Sequence, residues 1–170
     1  MIRGRFVPFI YKLRRSILKK IPLIINESNY QPGGDDMQET HVVTCFLENG
    51  HKILLLRRSR QVGSYEQKWA GISGYIEEGQ TPTEQAWQEI GEEAALAPSD
   101  LVLLQEGEPL PVVDEKLDRT WVVHPFRFAL ADPDKVKIDW EHSECKWVDP
   151  WAIKDHDCVP GLWAAWLRVE

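Results

Sequence analysis

Glu89, Glu92 and Glu93 stand at relative positions i, i+3 and i+4. On a helix this spacing puts all three carboxylates on one face, where each like-charged pair costs about 0.2–0.5 kcal/mol. No lysine or arginine occurs between Gly74 and Leu96 to offset them. Gly91 adds a helix penalty of about 1 kcal/mol relative to alanine. A lone triplet of this kind is ordinarily a solvated acidic face. Here the triplet follows a glycine turn whose carbonyls can also act as ligands, and the chain offers a further carboxylate and basic residues elsewhere. Clustered oxygens of this type suit a hard divalent cation such as Mg²⁺ or Mn²⁺.

The charge distribution points the same way. The first 20 residues hold seven cations and no acid, so the rest carries 13 cations against 27 acids, a formal −14. Such an acidic body repels a phosphate backbone, and no nucleic-acid polymer is expected as a partner. A small phosphorylated substrate would need positive charge brought to it, which carboxylate-held metals supply. Arg57, Arg58 and Arg60 form the one dense cationic cluster of the body. They read either as phosphate contacts, through paired guanidinium hydrogen bonds, or as a solvated strand end. Most of the eight tryptophans are expected in the core, with Trp69 and Trp140 flanking the loops of interest.

These groups must be held by a framework. Thr81 is a good N-cap, Pro82 suits the first helical position, and Glu84 completes a capping box, so a helix begins there. Ala86, Trp87, Ile90 and Ala94 make its core-facing stripe, apart from the glutamates. Strands are expected over His41–Leu47, Lys52–Arg57, Trp69–Gly74, Leu101–Gln105, Thr120–Leu130 and Glu144–Val148, with Asn49-Gly50 as a hairpin turn. The stretch with Pro109 and Pro111 reads as loop, and a closing helix is expected from Pro160 to about Val169. With 43% hydrophobic and 28% charged residues, this is one globular α/β domain, residues 37–170, preceded by a leader and linker over residues 1–36.

In the leader, residues 9–21 read as a basic amphipathic helix, suited to peripheral contact with an anionic membrane, to a transit peptide or to docking on the acidic body. Met37 is an alternative start. No apolar run reaches the roughly 18–20 residues that cross a bilayer. Cys45, Cys145 and Cys158 form no CxxC pair, which favours reduced thiols and a cytoplasmic location.

The stretch Gly74 to Leu96, GYIEEGQTPTEQAWQEIGEEAAL, resembles the signature box of the Nudix hydrolases, Gly-x5-Glu-x7-Arg-Glu-U-x-Glu-Glu-x-Gly-U, where U is a bulky apolar residue. Gly74, Glu89, Ile90, Glu92, Glu93 and Leu96 fall in register; Gln80, Gln88 and Ala95 replace the first Glu, the Arg and the second Gly. The resemblance implies an α/β/α sandwich with a mixed β-sheet, and a metal-dependent hydrolase cleaving the diphosphate linkage of a nucleoside diphosphate derivative or related small organic pyrophosphate. It implies Mg²⁺ or Mn²⁺ held by Glu89, Glu92, Glu93 and the Ser73 carbonyl, with Glu92 and Glu93 at the catalytic centre. Glu141 is the candidate base, with Asp139 and Glu144 as rivals. Substrate contacts are expected from Arg57, Arg58 and Trp69. Gln80 and Gln88 together drop the ion pair that commonly steadies the box, which leaves a catalytically weak or inactive nucleotide-binding module as the alternative. An isoprenoid diphosphate isomerase shares the fold but is poorly served by Cys145 beside Glu144. Homodimer formation stays open.

Overall fold

The computed structural model describes residues 38–170. The expected amphipathic helix at 9–21, and Met37, lie outside the described residues.

The strands are β1 (Gln38–Asn49), β2 (Lys52–Arg58), β3 (Trp69–Ala70), β4 (Ile72–Tyr75), β5 (Leu101–Glu106), β6 (Leu110–Asp114), β7 (Arg119–Leu130) and β8 (His142–Val148), with helices α1 (Pro82–Ala94) and α2 (Leu162–Trp166). They form one mixed sheet whose path runs β3-β2-β1-β7-β5, with β4 on β1, β6 on β7 and β8 on β2. Its axis is the parallel β1–β7 pair, in register from Gln38↔Arg119 to Glu48↔Ala129; the other pairings are antiparallel.

Alternation along the central strands makes two cores, one on each face. Val43, Cys45, Leu47, Leu54, Leu56, Phe126 and Phe128 meet Ala86, Ile90 and Ala94 of α1. Phe46, Ile53, Leu55, Trp121 and Val123 meet Ile153, Leu162 and Trp166 on the opposite side. The continuous apolar run of β2 is thus explained by burial on both faces, and the expected sandwich is present.

Three local expectations need correction. Residues 110–114 are a strand, not loop: Pro111 stands opposite Val122 in an antiparallel pairing with β7, and a strand paired on one side tolerates a residue without an N–H. The closing helix is five residues rather than ten, because Gly161 takes a left-handed φ of +77° and the helix starts only after it. The β1–β2 turn is centred on Gly50-His51, between the paired Asn49 and Lys52, and Gly50 alone takes a positive φ, of +64°. This is the pattern of a hairpin with glycine first, not of Asn-Gly at both central positions.

Candidate active site

Helix α1 starts as its sequence dictates. The Thr81 side chain accepts from the Glu84 N–H while the Glu84 carboxylate accepts from the Thr81 N–H, and Pro82 follows the cap. This fixes the helix phase, and the glutamates follow from it. Glu89 and Glu93 turn inward and are buried, whereas Glu92 is half-buried.

Each inner carboxylate is held at the β4 edge. Gln85, itself fully buried, donates from Nε2 to Glu89 Oε1 at 2.7 Å and accepts the Glu77 N–H at 3.2 Å. Glu89 lies so close to Gly74 that a Cβ there would overlap its carboxylate. This explains the glycine by close approach, not by turn geometry. Glu93 Oε2 accepts the Ser73 N–H at 3.3 Å.

The end of α1 recruits the rest of the site. Helix termini leave carbonyls without partners; here the Ala94 and Glu93 carbonyls accept from the N–H groups of Lys137 (3.0 Å) and Asp139 (3.3 Å). The Asp139 side chain then accepts the Glu141 N–H at 3.0 Å, and the Glu141 carbonyl accepts the Ser59 N–H at 2.7 Å. The loop is thereby clamped between helix and β2, with Asp139 and Glu141 beside Glu93. Burial, then the charges of Glu89, Glu141 and Asp139, push the Glu93 carboxyl well above the ordinary carboxylate range, against the Ser73 hydrogen bond.

His142 completes the cluster. Its ring is buried, with Nδ1 3.3 Å from Asp139 Oδ1 and Nε2 3.7 Å from Glu93 Oε2. Sequence reasoning missed it: one histidine in a polar loop carries no spacing signal, and its only clue was adjacency to Glu141. Glu144, by contrast, pairs with Arg57 at 3.6 Å on the exposed edge of β8.

A buried carboxylate crowded by further acids is a setting that a cation relieves. Glu89, Glu93 and the neighbouring Ser73 carbonyl offer oxygens of the type a hard divalent ion takes, with Glu92 on the same helix. Among the described residues no three His, Cys, Asp or Glu side chains already close into a metal cage. An open set of this kind suits an ion that keeps several of its waters.

The outer side of the helix carries the departures from the box. Gln80 Nε2 donates to Gln88 Oε1 at 2.9 Å, and Gln88 Nε2 donates to Glu92 Oε1 at 3.0 Å. A neutral amide chain thus stands at the two positions where the sequence lacks the ion pair of the box, leaving Gln80 Oε1 buried without a partner among the described residues. Ala95 caps the helix in the left-handed region, φ +54° and ψ +32°, a conformation that favours glycine.

Arg57 and Arg58 fasten the loop after β2, donating from Nε to the Gln67 carbonyl (3.2 Å) and the Ser64 carbonyl (3.0 Å). Trp69 is buried, with the Lys146 ammonium 3.9 Å from its ring centroid and His156 at its edge, so its ring is already engaged; Trp140 is exposed. A separate cavity of about 480 Å³ at the β1–β2 turn includes Glu48 and Asp100. Both acids are paired, with Arg127 and Lys135, which makes it a poorer cation site than the β4 edge.

Comparison with known proteins bears on the family and the fold. The NUDIX domain family model matches residues 38–166. Among solved structures, the MutT protein of Methanosarcina mazei Go1 aligns with a TM-score of 0.63 at 21% identity, covering 79% of this chain and 94% of its own. A C. elegans Ap4A hydrolase aligns at 0.60 and 17% identity, covering 77% and 93%. The Nudix hydrolase RenU of M. smegmatis aligns at 0.57 and 21%, covering 76% and 80%. At these identities the likeness is one of fold.

Proposed function

The chain belongs to the Nudix family, and from that premise we propose that it is a pyrophosphohydrolase that cleaves the diphosphate linkage of a nucleoside diphosphate derivative or a related small organic pyrophosphate, using Mg²⁺ or Mn²⁺. The observation that carries this reading is the burial of Glu93 beside Glu89, Asp139 and Glu141 at the Ser73–Gly74 edge. Glu89, Glu92, Glu93 and the Ser73 carbonyl would hold the ion. When bound, such an ion neutralises the diphosphate oxygens, aligns them and acidifies the attacking water.

The chain's own groups do the rest. A water oxygen bonds to one phosphorus while the bridging P–O bond breaks, and the bridging oxygen leaves on the other phosphate. Glu141, clamped beside Glu93, accepts the water's proton on its carboxylate. Arg57 and Arg58 supply cationic contacts to the phosphates; the Arg58 guanidinium has a hydrogen-bond partner among the described residues only through Nε. The amide chain Gln80–Gln88–Glu92 supports hydrolysis over mere binding, since Glu92 stays tied to its helix and Glu89, Glu92 and Glu93 are all present.

A panel of nucleoside diphosphate derivatives incubated with Mg²⁺, with product identification, tests the reading. Expected is release of two phosphorylated products, absent in EDTA and lost in Glu93→Gln. Turnover of none of the panel, or equal turnover by Glu93→Gln, would count against it.

A further inference from the structure

The sheet beneath the start of α1 carries a pair of side chains that the chemistry above does not use. Val43 and Cys45 of β1, and Phe126 and Phe128 of β7, belong to the core on the α1 side. Side chains alternate along a strand, so His41 and His124 share that face, two residues before Val43 and Phe126. The parallel register sets His41 beside Val122 and His124 beside Val43, which makes the two histidines diagonal neighbours. They end the apolar rows: His41 is exposed and His124 half-buried.

The two rings meet through their nitrogens. His41 Nδ1 lies 3.0 Å from His124 Nε2, with ring centroids 5.3 Å apart and planes tilted by 36°. The backbone at His41 is pinned as well, since its carbonyl accepts the Ile76 N–H at 3.1 Å. A carboxylate stands on the same face. Glu106 of β5 pairs with Phe126, its Oε2 accepts from the Thr83 hydroxyl at 3.3 Å, and its charge reaches His124.

Two imidazoles this close cannot both carry a proton without repulsion. Burial, and then the charge of His41, hold the His124 imidazole below its ordinary range, against the pull of Glu106. His124 is therefore neutral at pH 7, the form that ligates a metal. Two nitrogens bound tetrahedrally to one ion at about 2.0–2.1 Å lie roughly 3.4 Å apart, so the pair needs to open only slightly to admit it. Imidazole suits Zn²⁺ and Cu²⁺, whereas the hard Mg²⁺ prefers carboxylates. The place is separate too: Thr83 precedes Glu93 by ten residues, roughly 15 Å along the helix axis.

We propose that His41 and His124 form a two-imidazole site for a borderline transition ion, Zn²⁺ or Cu²⁺, with Glu106 as its neighbouring counter-charge and water completing the shell. Among the described residues no third His, Cys, Asp or Glu side chain closes on the pair. Such an open site differs from the closed, four-ligand kind on which a fold depends, so the ion exchanges with solvent and the fold does not require it. Binding there does not depend on the proposed hydrolysis.

Titration of the full chain with Cu²⁺ in excess Mg²⁺, which occupies the carboxylates of the β4 edge, tests the histidines alone. Electron paramagnetic resonance should show bound Cu²⁺ with the nitrogen splitting of two imidazoles. Calorimetry under the same conditions should show saturable uptake of Zn²⁺. His41→Gln should abolish the two-nitrogen signature and weaken Zn²⁺ binding at least about tenfold. His124→Gln should do the same; if that half-buried variant fails to fold, the exposed His41 still decides. Glu93→Gln should leave both readouts unchanged. No saturable uptake of either ion, or a two-nitrogen signature that persists in a folded His41→Gln, would overturn the proposal. So would uptake lost in Glu93→Gln but kept in His41→Gln, which would place the ion at the β4 edge.

Discussion

Helix α1 carries two rows of polar side chains in different surroundings. The inner row, Gln85, Glu89 and Glu93, is buried, keeps both acids and meets β4. The outer row, Gln88 and Glu92 with Gln80 from the preceding loop, is part-buried and is linked by a relay of amides. Burial of a carboxylate is the costlier arrangement by several kcal/mol. Yet acids stand where they cost most, and neutral amides stand where a charge would cost less. The contrast separates what the chemistry requires from what merely steadies it.

The sharpest way to break the comparison is at Glu93. Glu93→Gln should lower the rate by at least about a hundredfold, since a charged oxygen ligand is lost. The same change should stabilise the metal-free protein. Because burial and neighbouring acids raise the folded pKa of Glu93 above its ordinary value of 4.5, the folded state binds a proton that the unfolded chain has released. The stability from this group is complete below about pH 4.5 and is lost as pH rises through the folded pKa. In EDTA, the melting temperature of Glu93→Gln should therefore exceed that of the wild type by more at pH 8 than at pH 5.

Gly74→Ala attacks the inner row from the strand side. The added Cβ overlaps the Glu89 carboxylate, so Glu89 must leave its place. A rate loss of about ten- to a hundredfold and a destabilisation of about 1–3 kcal/mol are expected, read by kinetics and urea unfolding.

The outer row should respond less. Gln88→Arg provides a donor for the orphaned Gln80 Oε1, and Gln80→Glu with Gln88→Arg restores the ion pair. The double variant should gain severalfold in Mg²⁺ affinity or rate, with positive coupling in a double-mutant cycle. If the outer row alone is as sensitive as the inner, the distinction between them fails. Smallest of all, Ala95→Gly should raise unfolding free energy by about 1 kcal/mol with unchanged kinetics, because it relieves a left-handed alanine at the helix end.

The helix that carries the glutamates was legible in the sequence because helix signals are local: Thr81, Pro82 and Glu84 fix the start; that Glu89 and Glu93 turn inward with Gln85 while Glu92 stays half-buried was not, since the spacing alone puts all three glutamates on one face. The doubly buried strand β2 announced itself through its unbroken apolar run. What could not be read depends on contacts between distant segments. His142 reaches Glu93 only because the carbonyls at the end of α1 capture the 137–139 loop. The His41–His124 pair joins strands 83 positions apart in the chain, so no spacing marks it. Strand β6 was hidden by Pro109 and Pro111, residues that a one-sided pairing accommodates and a local pattern does not. The start of the closing helix was not legible, because the left-handed backbone that makes Gly161 its boundary leaves no local mark in the sequence.

Titration of the wild-type chain with Mn²⁺, followed by the paramagnetic resonance of the free ion, addresses the metal directly and needs no substrate. Saturable uptake by the wild type, abolished or weakened at least about tenfold in Glu93→Gln and in Glu89→Gln, is the predicted result. A wild type that takes up no Mn²⁺ and hydrolyses its substrate at full rate in EDTA would contradict it.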